Sequence, residues 1–442
     1  MADYTYPNKI SFFKLLLRSS SIAKDPIQYH RKWFDEVGDS FAIKSPLYGH
    51  IILTRDSDIA RHILQKHHKG YHKSMIQTKF LSKYVGYGLL TSSGDYWLRQ
   101  RRLIQPAFHK KKIENLVTII DNAIETEVRK MHSGQEIDVY PIMNELAFQV
   151  VAKSLFNYSA DLHTLQRLQE IIAKLQIFIV KEIRQPLKKL WYAVNGEIRY
   201  HMKLVKESRD IIEHIIEERR KSNTEHDDLL DMLLHAQYED GTFMTNNQLI
   251  DEILILFVAG HETTANALSF TFSLLAQNQD CLEQVYQEIS SLSEGDPLTQ
   301  LGELQYTKQC IDESLRLYPP AWITDRVAIQ DDTFGAYHVK KGTMVGVSIY
   351  EMHRNKDYWD RPDEFLPERF KDPDKNLMQH YMPFGAGPRL CIGNNFALYE
   401  MMLTVKQVIA TFNISTTRTT NASNPLITLK PINATLSFKD RR

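Results

Sequence analysis

One cysteine, one acid and two neighbouring hydroxyls stand in settings that ordinary packing does not explain. Cys391 lies in the run P-F-G-A-G-P-R-L-C-I-G, from Pro383 to Gly393, among glycines at 385, 387 and 393. A helical pattern starts directly afterwards, from Asn394. Free N–H groups and the dipole at a helix N-terminus stabilise a thiolate, the form of cysteine that binds metals. Glycines also let a backbone approach a flat macrocycle closely. The plainer alternative is a buried structural cysteine in a glycine turn. The second setting is A-G-H-E-T-T, Ala259 to Thr264. A hydroxyl and a carboxyl on one buried helix can pass protons through water, and Thr263 and Glu262 are the candidates. Against this, Thr263 could simply bond a carbonyl one turn earlier, and Glu262 could be a paired core acid.

The elements that must position these groups are legible in outline. Thr245 and Gln248 have capping-box spacing, which satisfies two orphan N–H groups at a helix start. Ile250 and the unbroken apolar run 253–258 leave almost no polar face, so this helix, read over 245–276, belongs inside a large fold. Gly260 interrupts it at a cost of about 1 kcal/mol relative to alanine, and a distorted turn is expected there. Residues 56–292 are overwhelmingly helical in pattern, as at 112–131, 165–183 and 199–220, with a polar break at 221–227. Short β-like runs at 41–43 and 50–54 flank a turn at 46–49. Others occur at 326–329, 337–339 and 344–349, and the tail 426–438 reads as a closing hairpin. Glu313 and Arg316 share a helix face and can pair. Trp97 and Arg101 lie four apart on another helix.

The pattern Phe384-x-x-Gly387-x-Arg389-x-Cys391-x-Gly393 resembles the haem-binding signature of the cytochrome P450 family of haem-thiolate monooxygenases. Glu313-x-x-Arg316, then P-E-R-F at 367–370, then the cysteine segment follow in the family's order. The resemblance spans nearly the whole chain. It implies a mainly α (α+β) fold: a helical bundle with a long central oxygen-activation helix and small β-sheets. It makes residues 1–442 a single domain, where length alone suggests about three.

It further implies haem b with axial Cys391, and a buried triad of Glu313, Arg316 and Arg369. Thr263 holds oxygen and its water, and Glu262 connects to the proton supply. Ala259 and Gly260 face the haem, with Phe384 and Gly393 in the cysteine loop. Trp97, Arg101, Arg326 and Arg389 meet the haem propionates. A thiolate ligand pushes electron density onto iron and favours O–O cleavage. The chemistry implied is insertion of one atom of O2 into a C–H bond. Electrons come ultimately from NAD(P)H through a ferredoxin or flavodoxin-type donor and its reductase.

Composition sets further bounds. Lys+Arg and Asp+Glu are both 54 in 442 residues, which gives no global case for nucleic acid. Three cysteines make no disulfide framework and fit a reducing compartment. No signal peptide or transmembrane anchor is visible, so a cytoplasmic, monomeric protein without a fused reductase is expected. Residues 97–112 hold six Lys or Arg and no acid, a candidate docking face for an acidic donor. A hydrophobic, lipid- or terpenoid-like substrate is expected in a pocket lined by parts of 75–90, 177–191, 257–259, 321–324 and 425–427.

Lys181, Arg184, Lys188 and Lys189 could greet an anionic lipid, or form a solvated face. Ala259 replaces the glutamate that some fatty-acid ω-hydroxylases link to haem, so no ester link is expected. No arginine occurs between Pro46 and Ile52, which counts against the carboxylate docking of soluble fatty-acid hydroxylases. A peroxygenase would replace the acid–threonine pair that is intact here, and a haem-thiolate sensor would need no proton relay.

Overall fold

In a computed structural model, residues 3–45, 49–134, 136–157, 162–185, 188–221 and 228–441 are described. The expected turn at 46–48 and the polar break at 222–227 lie outside them. Helices dominate, and the largest core cluster gathers around the helix Asn246–Gln277. That helix starts at the expected capping box, with both reciprocal Thr245–Gln248 bonds present. It is continuous through Gly260, so the expected distorted turn is absent. Packing keeps it regular: a Cβ on Gly260 would lie 3.2 Å from Val151 Cγ2. The glycine lets the helix Val139–Phe156 cross closely. Phe257 stacks on Phe156 of that neighbour, with centroids 4.5 Å apart. It therefore faces the core and not the substrate side where the sequence reading placed it.

The strands form small sheets. Ser40–Ser45 pairs antiparallel with Gly49–Thr54, with Phe41 opposite Leu53. This pair extends through Met344–Ser348 and Ile323–Ala328 to Tyr71–His72, giving five strands. The tail is not one hairpin. Leu429–Ile432 pairs back with Ala422–Pro425, whereas Thr435–Asp440 joins Phe412–Ser415 and Glu136–Asp138. Asn433, at φ 49°, turns the chain between the two sheets. Asparagine tolerates that left-handed conformation better than most residues.

Among the described residues one helix, Asn246–Gln277, is long and apolar enough to cross a bilayer, but 78% of its most apolar window is buried inside the fold.

The Glu313 network fixes the frame behind the cysteine segment. Arg316 donates to both Glu313 oxygens at 2.7 and 2.8 Å, with both side chains fully buried. Arg369 adds a bond at 3.3 Å and the Leu366 N–H one at 2.9 Å. Remaining Arg316 donors reach the carbonyls of His353, Pro362 and Glu364. Such saturation is what a buried ion pair needs to offset desolvation. His353 relays the frame onward. Its Nδ1 lies 3.2 Å from the Arg316 carbonyl, and its Nε2 accepts the Met382 N–H at 2.8 Å.

Candidate active site

The cysteine segment is a closed loop. The Cys391 N–H donates to the Phe384 carbonyl at 2.9 Å. Gly385 and Gly387 take φ of 75° and 68°. At Gly387 glycine is doubly required, since a Cβ would lie 2.0 Å from the Leu64 carbonyl oxygen. Gly393 has φ −95°, and a Cβ there would make ordinary contact with Phe108. Its contribution is the N–H it directs at the Cys391 sulfur. Cys391 is solvent-accessible although protein surrounds it, the situation of a residue lining an internal cleft. Burial within the protein pushes its thiol pKa up, while the Gly393 N–H and Arg101 oppose that. A metal cation at the sulfur reverses the balance and deprotonates the thiol.

The central helix, which packs on the helix Asn394–Thr411 opened by the cysteine segment, carries a matching gap. Between Glu252 and Ala276 every residue is buried except Val258, Ala259, Gly260 and Thr263. These four form one accessible strip in the middle of a core helix. Gly260 points its Cβ direction at Val151, so it offers only backbone to the strip. Thr263 Oγ1 donates to the Ala259 carbonyl at 2.7 Å, as the plainer reading anticipated. A hydroxyl that donates there still has lone pairs to accept a bond from the strip side.

Glu262 does not reach the strip as an open acid. It is buried, and Gln176 Nε2 donates to its Oε2 at 2.5 Å. Desolvation raises its pKa, opposed by Lys430, Gln176 and Thr428. Lys430 and Thr428 are half-buried, so the carboxyl stands between the central helix and groups that touch solvent. Neither Thr428 nor Lys430 carried a sequence signal, because both sit on the tail far along the chain.

Around Cys391 the fold collects four cations. Arg101, on the helix Gly94–Ile104, donates to the Leu390 carbonyl at 3.0 Å. Arg389 donates to the Ser92 carbonyl at 2.8 Å and stacks on the Trp97 ring at 3.8 Å. Arg326, on the strand Ile323–Ala328, bonds the Asp325 carbonyl at 2.6 Å. Lys73 is the fourth, a residue the sequence reading missed. It is buried and donates to the Leu90 carbonyl. Burial and then the charge of Arg389 and Arg326 press its pKa well down. Burial, then Arg326 and Arg101, push that of Arg389 down to about 9. Lys73, Arg101, Arg326 and Arg389 form no ion pair with a carboxylate among the described residues. The cluster is thus a positive site, with Lys73 and Arg326 buried and Arg101 and Arg389 half-buried, that no carboxylate meets at ion-pair distance among the described residues.

The family model for cytochrome P450 matches residues 5–438. The chain belongs to the cytochrome P450 family. It is 32% identical over 338 residues to cyclooctat-9-en-7-ol 5-monooxygenase of Streptomyces melanosporofaciens, covering 75% of this chain and 73% of that one. It is 29% identical to pentalenene oxygenase of Streptomyces avermitilis, covering 75% and 74%. It is 28% identical to cytokinin hydroxylase of Arabidopsis thaliana, covering 81% and 72%.

The protein is therefore a cytochrome P450 monooxygenase with a haem-thiolate cofactor, and it needs a redox partner. The residues present fit such a group. A dianionic macrocycle edge answers the cation cluster, an accessible cysteine answers the iron, and a bared helix strip leaves room above it.

The basic stretch 97–112 looks different in the fold. Arg99 pairs with Asp240 and Arg102 with Glu239, each at 3.1 Å. Acids therefore meet this stretch in the fold, and at its far end Lys110 lies 3.7 Å from Glu114. Arg184, read as a solvated or lipid-greeting charge, instead donates to the carbonyls of Ala23 and Pro425. It braces the N-terminal segment against the tail.

Proposed function

We propose that residues 1–442 act as a single haem-thiolate domain that hydroxylates a hydrophobic, terpenoid- or lipid-like substrate. The observation that carries this is the accessible strip of Val258, Ala259, Gly260 and Thr263 on an otherwise buried helix. It offers apolar contact and one hydroxyl, the composition suited to an apolar ligand with one reactive C–H bond. The similarity to a cyclooctatenol monooxygenase and a pentalenene oxygenase supports a terpenoid class.

In this reading Cys391 binds the iron through Sγ, with the Gly393 N–H and Arg101 sharing the sulfur's charge. Phe384 closes the loop that presents it. Arg101, Arg326, Arg389 and Lys73 hold the propionates, and Trp97 supports Arg389 from beneath. The haem, when bound, supplies oxygen activation. Thr263, its own proton anchored on the Ala259 carbonyl, accepts a hydrogen bond at Oγ1 and so would hold a water on the strip side through which protons pass. Glu262, with Thr428 and Lys430 beside it, connects that hydroxyl to solvent protons through water. Electrons come from a separate ferredoxin or flavodoxin-type protein, docked by Lys110, Lys111 and Lys112, with NAD(P)H as the ultimate source. The setting is cytoplasmic.

The test is an optical titration of the haem-loaded protein with terpenoids, fatty acids, retinoids and steroids. Terpenoids displace the iron-bound water at micromolar concentration, and turnover under labelled O2 puts one labelled atom in the product. A panel in which only charged or strongly polar ligands shift the spectrum refutes the substrate class. Product without label refutes the reaction.

A further inference from the structure

Away from the haem site, the fold gathers two histidines and an aspartate. His62–Lys66 forms a single π turn, closed by the His67 N–H on the His62 carbonyl at 2.8 Å. In an α-helix, residues five apart point about 140° away from each other. The wider i to i+5 turn brings them onto one face. His62 and His67 accordingly stack, with ring centroids 4.0 Å apart and planes 12° from parallel. Such turns are uncommon and concentrate at functional sites.

The third group arrives from far along the chain. Asp332 opens the strand Asp332–Phe334 and places Oδ2 2.8 Å from His62 Nε2. One donor atom from each of the three residues lies within 4.8 Å of the others. The carboxylate is itself held: Tyr71 Oη donates to Oδ2 at 2.5 Å and the Thr333 N–H to the other oxygen at 2.8 Å. Outer partners of this kind orient metal ligands and tune affinity. His67 is exposed and His62 and Asp332 half-buried, so an ion can enter from solvent.

We propose that His62, His67 and Asp332 form a binding site for a divalent first-row transition metal, with zinc as its representative. Two imidazoles and one carboxylate are a borderline-soft set that suits zinc, cobalt or nickel and not calcium or magnesium. Tetrahedral zinc with bonds of about 2.0–2.1 Å needs ligand atoms roughly 3.4 Å apart. To take the ion, His62 Nε2 and Asp332 Oδ2, now hydrogen-bonded at 2.8 Å, would move apart by about 0.6 Å, and the exposed His67 ring would turn out of its stack on His62. Water completes the coordination. The ion would fasten the π turn to the hairpin of Asp332–Phe334 and Tyr337–Val339. The same turn carries Leu64, whose carbonyl abuts Gly387 of the cysteine loop, so the metal would brace that loop from behind.

The experiment is calorimetric titration of haem-loaded, EDTA-stripped protein with zinc chloride. Wild type binds one ion per chain more tightly than its background of surface sites. His67→Ala, at an exposed position, removes that phase while the Soret spectrum stays the same. Tyr71→Phe weakens it about tenfold. If wild type and His67→Ala give the same stoichiometry and affinity, the three residues are only a hydrogen-bonded cluster and the proposal is wrong. Wild-type binding no tighter than millimolar would refute it equally.

Discussion

Replacing Lys73 by methionine should stabilise the haem-free protein and weaken its hold on haem. The side chain is 7% exposed and has no carboxylate partner, and two guanidinium groups press on it. Asp325 opposes them but lies outside ion-pair distance. A buried ion without its partner costs several kcal/mol. Methionine keeps much of the volume and removes that charge, but strands the Leu90 carbonyl that Lys73 now satisfies, at about 1 kcal/mol. The haem-free variant should therefore gain about 1–3 kcal/mol. In the loaded protein the sign should reverse, because on the proposed assignment a propionate would neutralise the cluster. Losing one charged hydrogen bond of about 1.5–3 kcal/mol speeds haem release about 10- to 100-fold. Urea unfolding of the haem-free protein measures the first quantity. Transfer of haem to a scavenger, followed in the Soret band, measures the second. A variant that is less stable without haem, or releases haem no faster, refutes the assignment of Lys73 to the propionates.

Three further outcomes are expected. Thr263→Ala should consume reductant at near the wild-type rate but release mostly peroxide, a product-to-NAD(P)H ratio falling about tenfold or more; unchanged coupling removes the hydroxyl from the proton path. Exchanging Lys110, Lys111 and Lys112 for glutamine should slow reduction by an acidic donor several-fold at low salt, with the difference vanishing at high salt; rates insensitive to both charge and salt would dismiss the docking face. His353 makes stability fall in acid. Burial and then Arg316 hold its pKa down at about 3, whereas the unfolded chain takes up the proton near 6.5. Its contribution is full above pH 6.5 and is lost progressively towards pH 3, amounting to about 2 kcal/mol at pH 5. His353→Gln should flatten the denaturation midpoint against pH between 6.5 and 5, and parallel curves for the two proteins would count against it.

Why some of this was readable in the residues and some was not follows from sequence distance. The cysteine loop, the capping box at Thr245 and the Glu313–Arg316 pair are local, so spacing alone exposes them. Arg369 joins Glu313 from 56 residues away, and only the order of motifs gave it. Lys73 looks like any lysine in a basic stretch until strands Tyr71–His72 and Ile323–Ala328 pair and set it beside Arg326. The acids that meet the basic stretch 97–112 were hidden for the same cause. Glu239 and Asp240 come from a loop more than a hundred residues on, and charge arithmetic within a window cannot see them. Local patterning also misjudged Gly260. A glycine in an apolar helix suggested a distorted turn, yet the demand comes from Val151 on a neighbouring helix. The histidines make the sharpest case. Five-residue spacing is a poor ligand pattern for an α-helix, and it becomes a good one only because His62–Lys66 winds as a π turn. Groups that act through their own helix announce themselves in the sequence; groups that act across elements appear only when the chain has folded.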